Sequence, residues 1–304
     1  MSEVLADALR ARLPLVLDGA LGTELERRGV PTPAPLWSAA ALHTAPNVVS
    51  AIHQEYALAG ADVLVANTFR TNPRTLERAR LDDGAALCAV ALALARAAGS
   101  PLGGSAAPGT LQKSAPLIAA SVAPVEDCYA PALVPDETTL AAEHKQLATW
   151  LKAAGPDLLW IETMGTVREA VAAAAAARGV GLPFTVSWML AEGGALLGGE
   201  PLDAAVAAVA PLGPAALGLN CIPPDGITRY LPALRRLTSA PVAVYAHIGN
   251  QRPTPGWSFA QPSVLPAEYA EYSRRWRDLG ADIIGGCCGT TPAHIAAVAQ
   301  LCRS

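Results

Sequence analysis

Eight short apolar runs, most rich in β-branched residues, recur along the chain, and each is followed by a longer segment with helical spacing. Parallel strands need a long crossover to return to the same end of a sheet, and a helix usually supplies it, so this alternation restricts the chain to βαβ construction. The runs span 13–18 (LPLVLD), 61–68 (ADVLVANT), 116–122 (PLIAASV), 157–162 (DLLWIE), 183–188 (PFTVSW), 215–220 (AALGLN), 241–245 (PVAVY) and 281–285 (ADIIG). Helical candidates span 46–59, 74–98, 136–154, 166–178, 202–210, 225–237, 266–279 and 292–302. Several open on Pro, Asp or Thr and stop at Gly, and the repeated Gly-Ala-Asp at 60–62 and 280–282 marks a helix ending just before a strand. Eight strand-helix units in 304 residues predict an α/β fold, a single-domain (β/α)8 barrel covering 1–304. An open doubly wound sheet is the competing arrangement. The 99–114 stretch (GSPLGGSAAPGTLQKS) reads as a mobile loop.

Composition narrows the function classes. With 52% apolar and 16% charged residues the chain has material for a large core, and its net charge of -4, with Lys and Arg scattered singly, excludes a phosphate-binding stripe. No nucleic-acid partner is expected. The first residues, MSEVLADALRARLPLVLDGA, lack the basic start and long apolar centre of a signal peptide, and no run approaches the roughly 20 apolar residues of a membrane span. A cytoplasmic protein is expected. Six cysteines at 88, 128, 221, 287, 288 and 302 are too few for a disulfide framework, and in a reducing compartment clustered cysteines point to metal or catalysis.

The carboxyl ends of barrel strands form the active face, so the residues just after each run carry the most information. They read Asp18-Gly19-Ala20-Leu21-Gly22-Thr23-Glu24 after the first, Asn67-Thr68-Phe69 after the second, Glu162-Thr163 after the fourth, Asn220-Cys221 after the sixth and Gly286-Cys287-Cys288-Gly289 after the eighth. Adjacent cysteines on a regular strand point to opposite sides, but the flanking glycines permit a bend or bulge that turns both sulfurs one way. With Cys221 they make three thiolates without an evident fourth protein ligand, the pattern of a catalytic Zn2+ with an open position. A plainer reading makes Cys287 and Cys288 core residues and Cys221 a coincidence. Such a metal suits an incoming sulfur, because thiolate is a soft ligand and loses its proton on binding.

The segments DGALGTELERRG at 18–29, NTFRTN at 67–72, GLNC at 218–221 and GGCCGTTPAHI at 285–295 together resemble the homocysteine S-methyltransferase family. The resemblance runs from the first strand to the last helix. It implies that Cys221, Cys287 and Cys288 hold zinc, that the homocysteine sulfur takes the open position, and that Asp18 and Glu162 hold the amino-acid end of homocysteine. Two carboxylates at strand ends suit an ammonium, although Asp18 also reads as a turn residue before Gly19 and Glu162 as a helix cap. Backbone amides from Gly19 to Thr23, with Thr23 itself, offer a place for the substrate carboxylate. Asn220 either orients Cys221, contacts substrate, or satisfies backbone at a strand end. Trp37, in PLWS, matches a position near the methyl donor in relatives, where an aromatic face attracts a cation. His247 stands where relatives carry Asn and is given no role, and Cys88, Cys128 and Cys302 are expected to be structural.

The expected reaction is in-line methyl transfer to homocysteine thiolate, giving methionine, with no general base needed once metal has displaced the proton. Family members use S-methylmethionine, S-adenosylmethionine, betaine or a methyl-corrinoid protein as donor. About one helix follows the cysteine pair, which points to S-methylmethionine or S-adenosylmethionine, with a separate corrinoid protein or betaine as the alternative. Arg70 after Asn67-Thr68-Phe69 places a fixed positive charge near the donor in this reading. From other classes, a non-catalytic thiol-binding zinc protein and a zinc hydrolase remain open.

Overall fold

The computed structural model describes residues 3–11, 14–99, 115–249 and 263–303. Apart from Gly99, the expected loop over 99–114 lies outside the described residues. Eight parallel strands are present: β1 (Leu15–Val16), β2 (Val63–Ala66), β3 (Leu117–Val122), β4 (Leu158–Met164), β5 (Phe184–Trp188), β6 (Ala216–Asn220), β7 (Val242–Ala246) and β8 (Ile283–Gly286). Each pairs with the next in sequence from β2 to β8, and β8 pairs with β1. A bridge between Leu17 and Val63 joins β1 to β2, with the Asp62 amide on the Val16 carbonyl at 2.7 Å and the Asp18 amide on the Val63 carbonyl at 3.0 Å. The ring is therefore closed, and the open doubly wound alternative is excluded.

The helices are α1 (Glu3–Ala11), α2 (Gly22–Arg27), α3 (Ala41–Thr44), α4 (Pro46–Ala59), α5 (Pro73–Ala79), α6 (Gly84–Gly99), α7 (Glu137–Ala154), α8 (Val167–Gly179), α9 (Leu202–Val209), α10 (Pro224–Leu237), α11 (Pro266–Asp278) and α12 (Pro292–Arg303). Local chemistry sets several boundaries. Asn72, Asp136 and Thr166 cap the helices that follow by accepting the amide three residues on, and Gly60 and Gly155 end α4 and α7 in the left-handed conformation. The expected continuous helix over 74–98 is corrected to α5 and α6, separated by Arg80 at φ 58°. Close packing explains the restart at Gly84, where a Cβ would lie 2.5 Å from the Trp150 ring of α7.

The aspartates of the repeated Gly-Ala-Asp and of Gly155-Pro156-Asp157 do more than follow a helix. Asp62 accepts the Val16 amide (3.0 Å), Asp157 the Ile118 amide (2.7 Å) and Asp282 the Val242 amide (2.8 Å). In each case the carboxylate before one strand caps the start of its neighbour, satisfying a backbone donor that the sheet leaves free.

Alternation along the strands sorts the side chains. Leu15, Leu17, Val63, Ala119, Trp160, Ala243, Tyr245 and Ile283 cluster inside the barrel, while Val16, Leu64, Ile118, Ile161, Val244 and Ile284 belong to the core beneath the helices. Leu5 and Leu9 of α1, a helix absent from the sequence expectation, join the interior cluster.

His53 of α4 is fully buried, and neither ring nitrogen has a hydrogen-bond partner among the described residues. Burial pushes its pKa down to about 4. Its folded value is below its unfolded one, so its contribution to stability is complete above about pH 6.5 and is lost as pH falls toward 4. Urea unfolding at pH 7.5 and pH 5 should show wild type losing up to about 2 kcal/mol more than His53→Leu, from roughly 1.4 kcal/mol per pH unit. Equal losses in the two proteins would show that His53 does not drive the acid sensitivity.

Candidate metal centre

Parallel strands all end on one face, so side chains just beyond them converge on a common mouth. Cys221 follows β6 with a left-handed backbone (φ 53°) while its amide still bonds the Tyr245 carbonyl at 3.0 Å. The Cys287 amide extends the β8 ladder to Ala246 (2.9 Å), and the chain then turns back, with the Thr290 amide and hydroxyl both on the Cys287 carbonyl (3.1 and 2.8 Å). Gly289 completes this turn at φ 86°, and a Cβ there would lie 1.7 Å from the Ile248 carbonyl oxygen. The expected bend at the glycines is this turn. It leaves the Cys288 sulfur 3.9 Å from that of Cys221 and 4.0 Å from that of Cys287, all three within 4.8 Å of one another.

A tetrahedral metal with metal-sulfur bonds of about 2.3 Å needs sulfurs about 3.8 Å apart, so the cluster fits such an ion with little movement. Cys221 and Cys287 both donate to Cys288, and these bonds hold its thiol well below the usual range. Two groups given no role in the sequence expectation touch the cluster. The Tyr129 hydroxyl lies 3.5 Å from the Cys221 sulfur, and the His247 imidazole hydrogen-bonds the same atom from beyond β7.

A cavity of about 190 Å³ opens beside the sulfurs. Asp18 and Glu162 stand in its wall. Asp18 accepts the Val65 amide at 2.8 Å and is 4% exposed, and burial raises its pKa well above the usual value against the pull of that bond, with Glu162 adding repulsion. Glu162 accepts the Ser121 hydroxyl at 2.6 Å. Burial pushes it up to about 7 against the Ser121 bond, with the charge of Cys221 raising it and a Tyr245 hydrogen bond lowering it. A β-bulge in β4, where Thr163 adopts φ 58°, accompanies the Glu162 position.

Gly19, Thr23 and Trp37 also line the cavity. A Cβ on Gly19 would lie 2.8 Å from both Thr290 and Tyr56, so the loop approaches only as glycine. Within the proposed amide cradle, Ala20 donates instead to the Thr290 hydroxyl (3.2 Å), and the Thr23 hydroxyl accepts the Gly289 amide (3.0 Å), tying α2 to the cysteine turn. Asn220 is not brought to the cavity. It is fully buried, and its side-chain oxygen accepts the Thr163 amide at 3.0 Å, linking the ends of β6 and β4. Cys128, expected to be structural, forms part of the cavity wall but lies outside the three-sulfur cluster.

Arg70 departs from its expected place. Its guanidinium stacks 4.0 Å from the Trp37 ring centroid and 5.2 Å from that of Phe69, and donates to the Glu126 carbonyl at 2.8 Å. The two aromatic rings line the cavity and Arg70 does not. Its charge is thus spent on the rings and on backbone, and among the described lining residues there is no Arg, Lys or His.

The homocysteine S-methyltransferase family profile matches residues 15–302. The chain belongs to this family. It is 33% identical to the homocysteine S-methyltransferase of Escherichia coli (strain K12), over 93% of this chain and 94% of that one. Homocysteine S-methyltransferase 1 of Zea mays is 31% identical over 95% and 94% of the two chains. The crystal structure of the E. coli homocysteine methyltransferase MmuM in its metallated form superposes with a TM-score of 0.82 and 31% identity, covering 99% of both chains.

Among the residues missed from sequence, Ser121 and Tyr245 occupy inward positions near the ends of β3 and β7, where strand alternation is the signal that could have found them. Tyr129 and His247 lie in loops, where no periodicity applies. Gly289→Ala should weaken cadmium binding by about tenfold or more, or roughly 1.4 kcal/mol, because the turn carrying Cys288 must move. The control Gly179→Ala, with nothing within 4 Å of the added Cβ, should titrate like wild type by the sulfur-to-cadmium absorption band. Matching curves for the two variants would show that the turn tolerates a side chain.

Proposed function

We propose that this chain is a zinc-dependent homocysteine S-methyltransferase that makes methionine from homocysteine and a small cationic methyl donor, S-methylmethionine or S-adenosylmethionine. The observation that carries the reading is the juxtaposition, in one cavity, of three sulfurs at metal-ligand spacing and two carboxylates, one buried and one half-buried, without a basic partner among the described lining residues. Family membership supports methyl transfer to homocysteine, and the metallated form of the E. coli relative supports a metal.

Cys221, Cys287 and Cys288 are the ligands in this reading. Bound there, Zn2+ would supply a Lewis acid that keeps an incoming thiol deprotonated at neutral pH. Asp18 and Glu162 bind the homocysteine ammonium, which compensates two carboxylates that burial otherwise disfavours as anions. Ser121 and Tyr245 orient Glu162. Tyr129 and His247 both bond to Cys221 and hold it in place, a supporting role that metal-ligand geometry depends on. The apolar wall of Trp37 and Phe69 excludes water and aligns the donor methyl with the sulfur, and such alignment supplies much of the barrier reduction. Asn220 acts here by bracing β4 against β6, not by touching substrate.

Cys288→Ser should lose zinc in a chelator-competition assay, whereas full retention would remove it from the ligand set. Glu162→Ala should keep the metal and weaken homocysteine binding about tenfold or more in calorimetry, the scale of a lost charged hydrogen bond. Unchanged affinity would remove Glu162 from the site. The deciding assay is methionine formation by the zinc-loaded protein with homocysteine and S-methylmethionine, beside S-adenosylmethionine and betaine. Turnover with a sulfonium donor is expected, and homocysteine binding without turnover on any of the three would overturn the donor assignment.

A further inference from the structure

The connection from β3 to α7 brings two side chains to the metal centre: Cys128 in the cavity wall, and Tyr129, whose hydroxyl lies 3.5 Å from the Cys221 sulfur. A loop has no strand ladder of its own to fix such a distance, so its backbone groups need other partners. Remote side chains supply them here, on three consecutive residues. The Arg70 guanidinium donates to the Pro124 and Glu126 carbonyls at 3.4 and 2.8 Å. Between those two carbonyls, the Val125 amide donates to the Glu169 carboxylate of α8 at 2.8 Å. The Glu126 side chain is gripped from α5, by Arg74 at 3.2 Å and Arg78 at 2.6 Å. Just beyond, the Tyr129 amide donates to the Asp127 carboxylate at 3.0 Å, a side-chain turn that passes the placement on to Tyr129.

Glu169 is the least expected member of this set. It stands three residues after the N-cap Thr166, where a glutamate ordinarily reaches back to the start of its own helix. Its amide does donate to the Thr166 hydroxyl at 3.4 Å, but its carboxylate crosses to Val125, 44 residues away. The crossing is costly. Glu169 and Arg70 are both buried, and Glu169 Oε2 and Arg70 Nε and Nη2 have no hydrogen-bond partner among the described residues. Incompletely bonded polar groups of this kind add little stability that apolar side chains of similar volume would not supply. What they do supply is position. Arg70 stacks on Trp37, and the Glu169 carboxylate lies 3.5 Å from the His144 imidazole of α7, so residues 124–126 are registered against both a cavity wall and the helix layer.

We propose that Glu169 is a positioning residue for the metal centre: with Arg70 it clamps residues 124–126, and through Tyr129 it sets the Cys221 sulfur at metal-ligand spacing. This rests on the metal reading proposed above and names a part of its support that no residue of the cavity wall reveals. A phenol that donates to a thiolate stabilises the anion and restricts the rotation of its side chain, and both favour metal binding. Glu169 touches neither the sulfurs nor the cavity. Its effect is carried by one backbone amide, a four-residue stretch of loop and one hydroxyl.

The test follows the sulfur-to-cadmium absorption band of the full chain during titration against a competing chelator, in wild type, Glu169→Ala, Tyr129→Phe and the double variant. Each single variant should bind cadmium about tenfold more weakly, the lower end for loss of a contact that supports a metal ligand. The double variant should be no weaker than Tyr129→Phe alone, because Glu169 acts through Tyr129. Glu169→Gln, whose amide oxygen still accepts from Val125, should restore most of the affinity. Thermal unfolding of the metal-free proteins is read in parallel. A merely structural Glu169 would lower the unfolding temperature of Glu169→Ala and leave cadmium affinity at the wild-type value, which would overturn the proposal. Wild-type affinity in Tyr129→Phe, additive losses in the double variant, or no recovery in Glu169→Gln would overturn it too. If Glu169→Ala does not fold, Glu169→Asp, which withdraws the carboxylate by one methylene, takes its place with the same outcomes. The absence of a cadmium band in wild type would overturn the metal reading and the clamp together. Wild-type binding with unaffected variants overturns the clamp alone, and the expected cycle in a protein that forms no methionine supports the clamp while the proposed activity falls alone.

Discussion

The carboxyl mouth of the barrel is organised around the peptide of Asp18. Its amide bonds the Val63 carbonyl of β2, its carbonyl accepts the Gly286 amide of β8, and its side chain accepts the Val65 amide. These bonds close the ring at its shortest strand, β1. They also set the height of the cysteine turn relative to the carboxylates, because Gly286 immediately precedes Cys287. Tyr56 and Thr290 reinforce the same junction: the Tyr56 hydroxyl lies within hydrogen-bond distance of the Ala20 and Thr290 carbonyls, and the Thr290 hydroxyl accepts the Ala20 amide. A slip of one residue at this seam would turn every inward side chain outward, since side chains alternate along a strand. The site and the closure of the fold are one structure.

Electrostatics at the mouth run against stability. Asp18 is buried and Glu162 half-buried, and desolvation raises both, with Glu162 adding to the cost of ionising Asp18 and the Cys221 sulfur adding to that of Glu162. Isolated buried charges of this kind are expensive, and the fold keeps them only with partial compensation from Val65, Ser121 and Tyr245. What remains uncompensated is the capacity to bind a cation. Arg70 shows the opposite solution: a charge that would have filled that capacity is withdrawn behind Trp37 and Phe69 and held by backbone carbonyls.

Much of the architecture was legible because it is local. The alternation of runs located all eight strands, and the start of α4 at Pro46, the caps of α7 and α8, and the glycine ends of α4 and α7 follow from residue chemistry within a few positions. The failures were non-local in cause. The 74–98 segment reads as one helix by period, and only the Trp150 ring from a distant helix shows why it restarts at Gly84. The aspartates of the repeated motif look like helix-stop punctuation until the neighbouring strand brings an amide to each.

By itself, the sequence determined the kind of chemistry available: sulfurs, carboxylates and glycines at the ends of strands, in an order that permits a barrel. Tertiary structure decided which of them meet. Cys221 and Cys288 are 67 residues apart and their sulfurs lie 3.9 Å apart, because the closed sheet brings β6 and β8 to the same face. Asn220 and Arg70 look equally eligible in the chain, yet one braces two strands and the other stacks on aromatic rings. Backbone period and caps are encoded over short stretches, whereas the direction of a long polar side chain depends on carbonyls, amides and rings that remote segments supply only once the ring has closed.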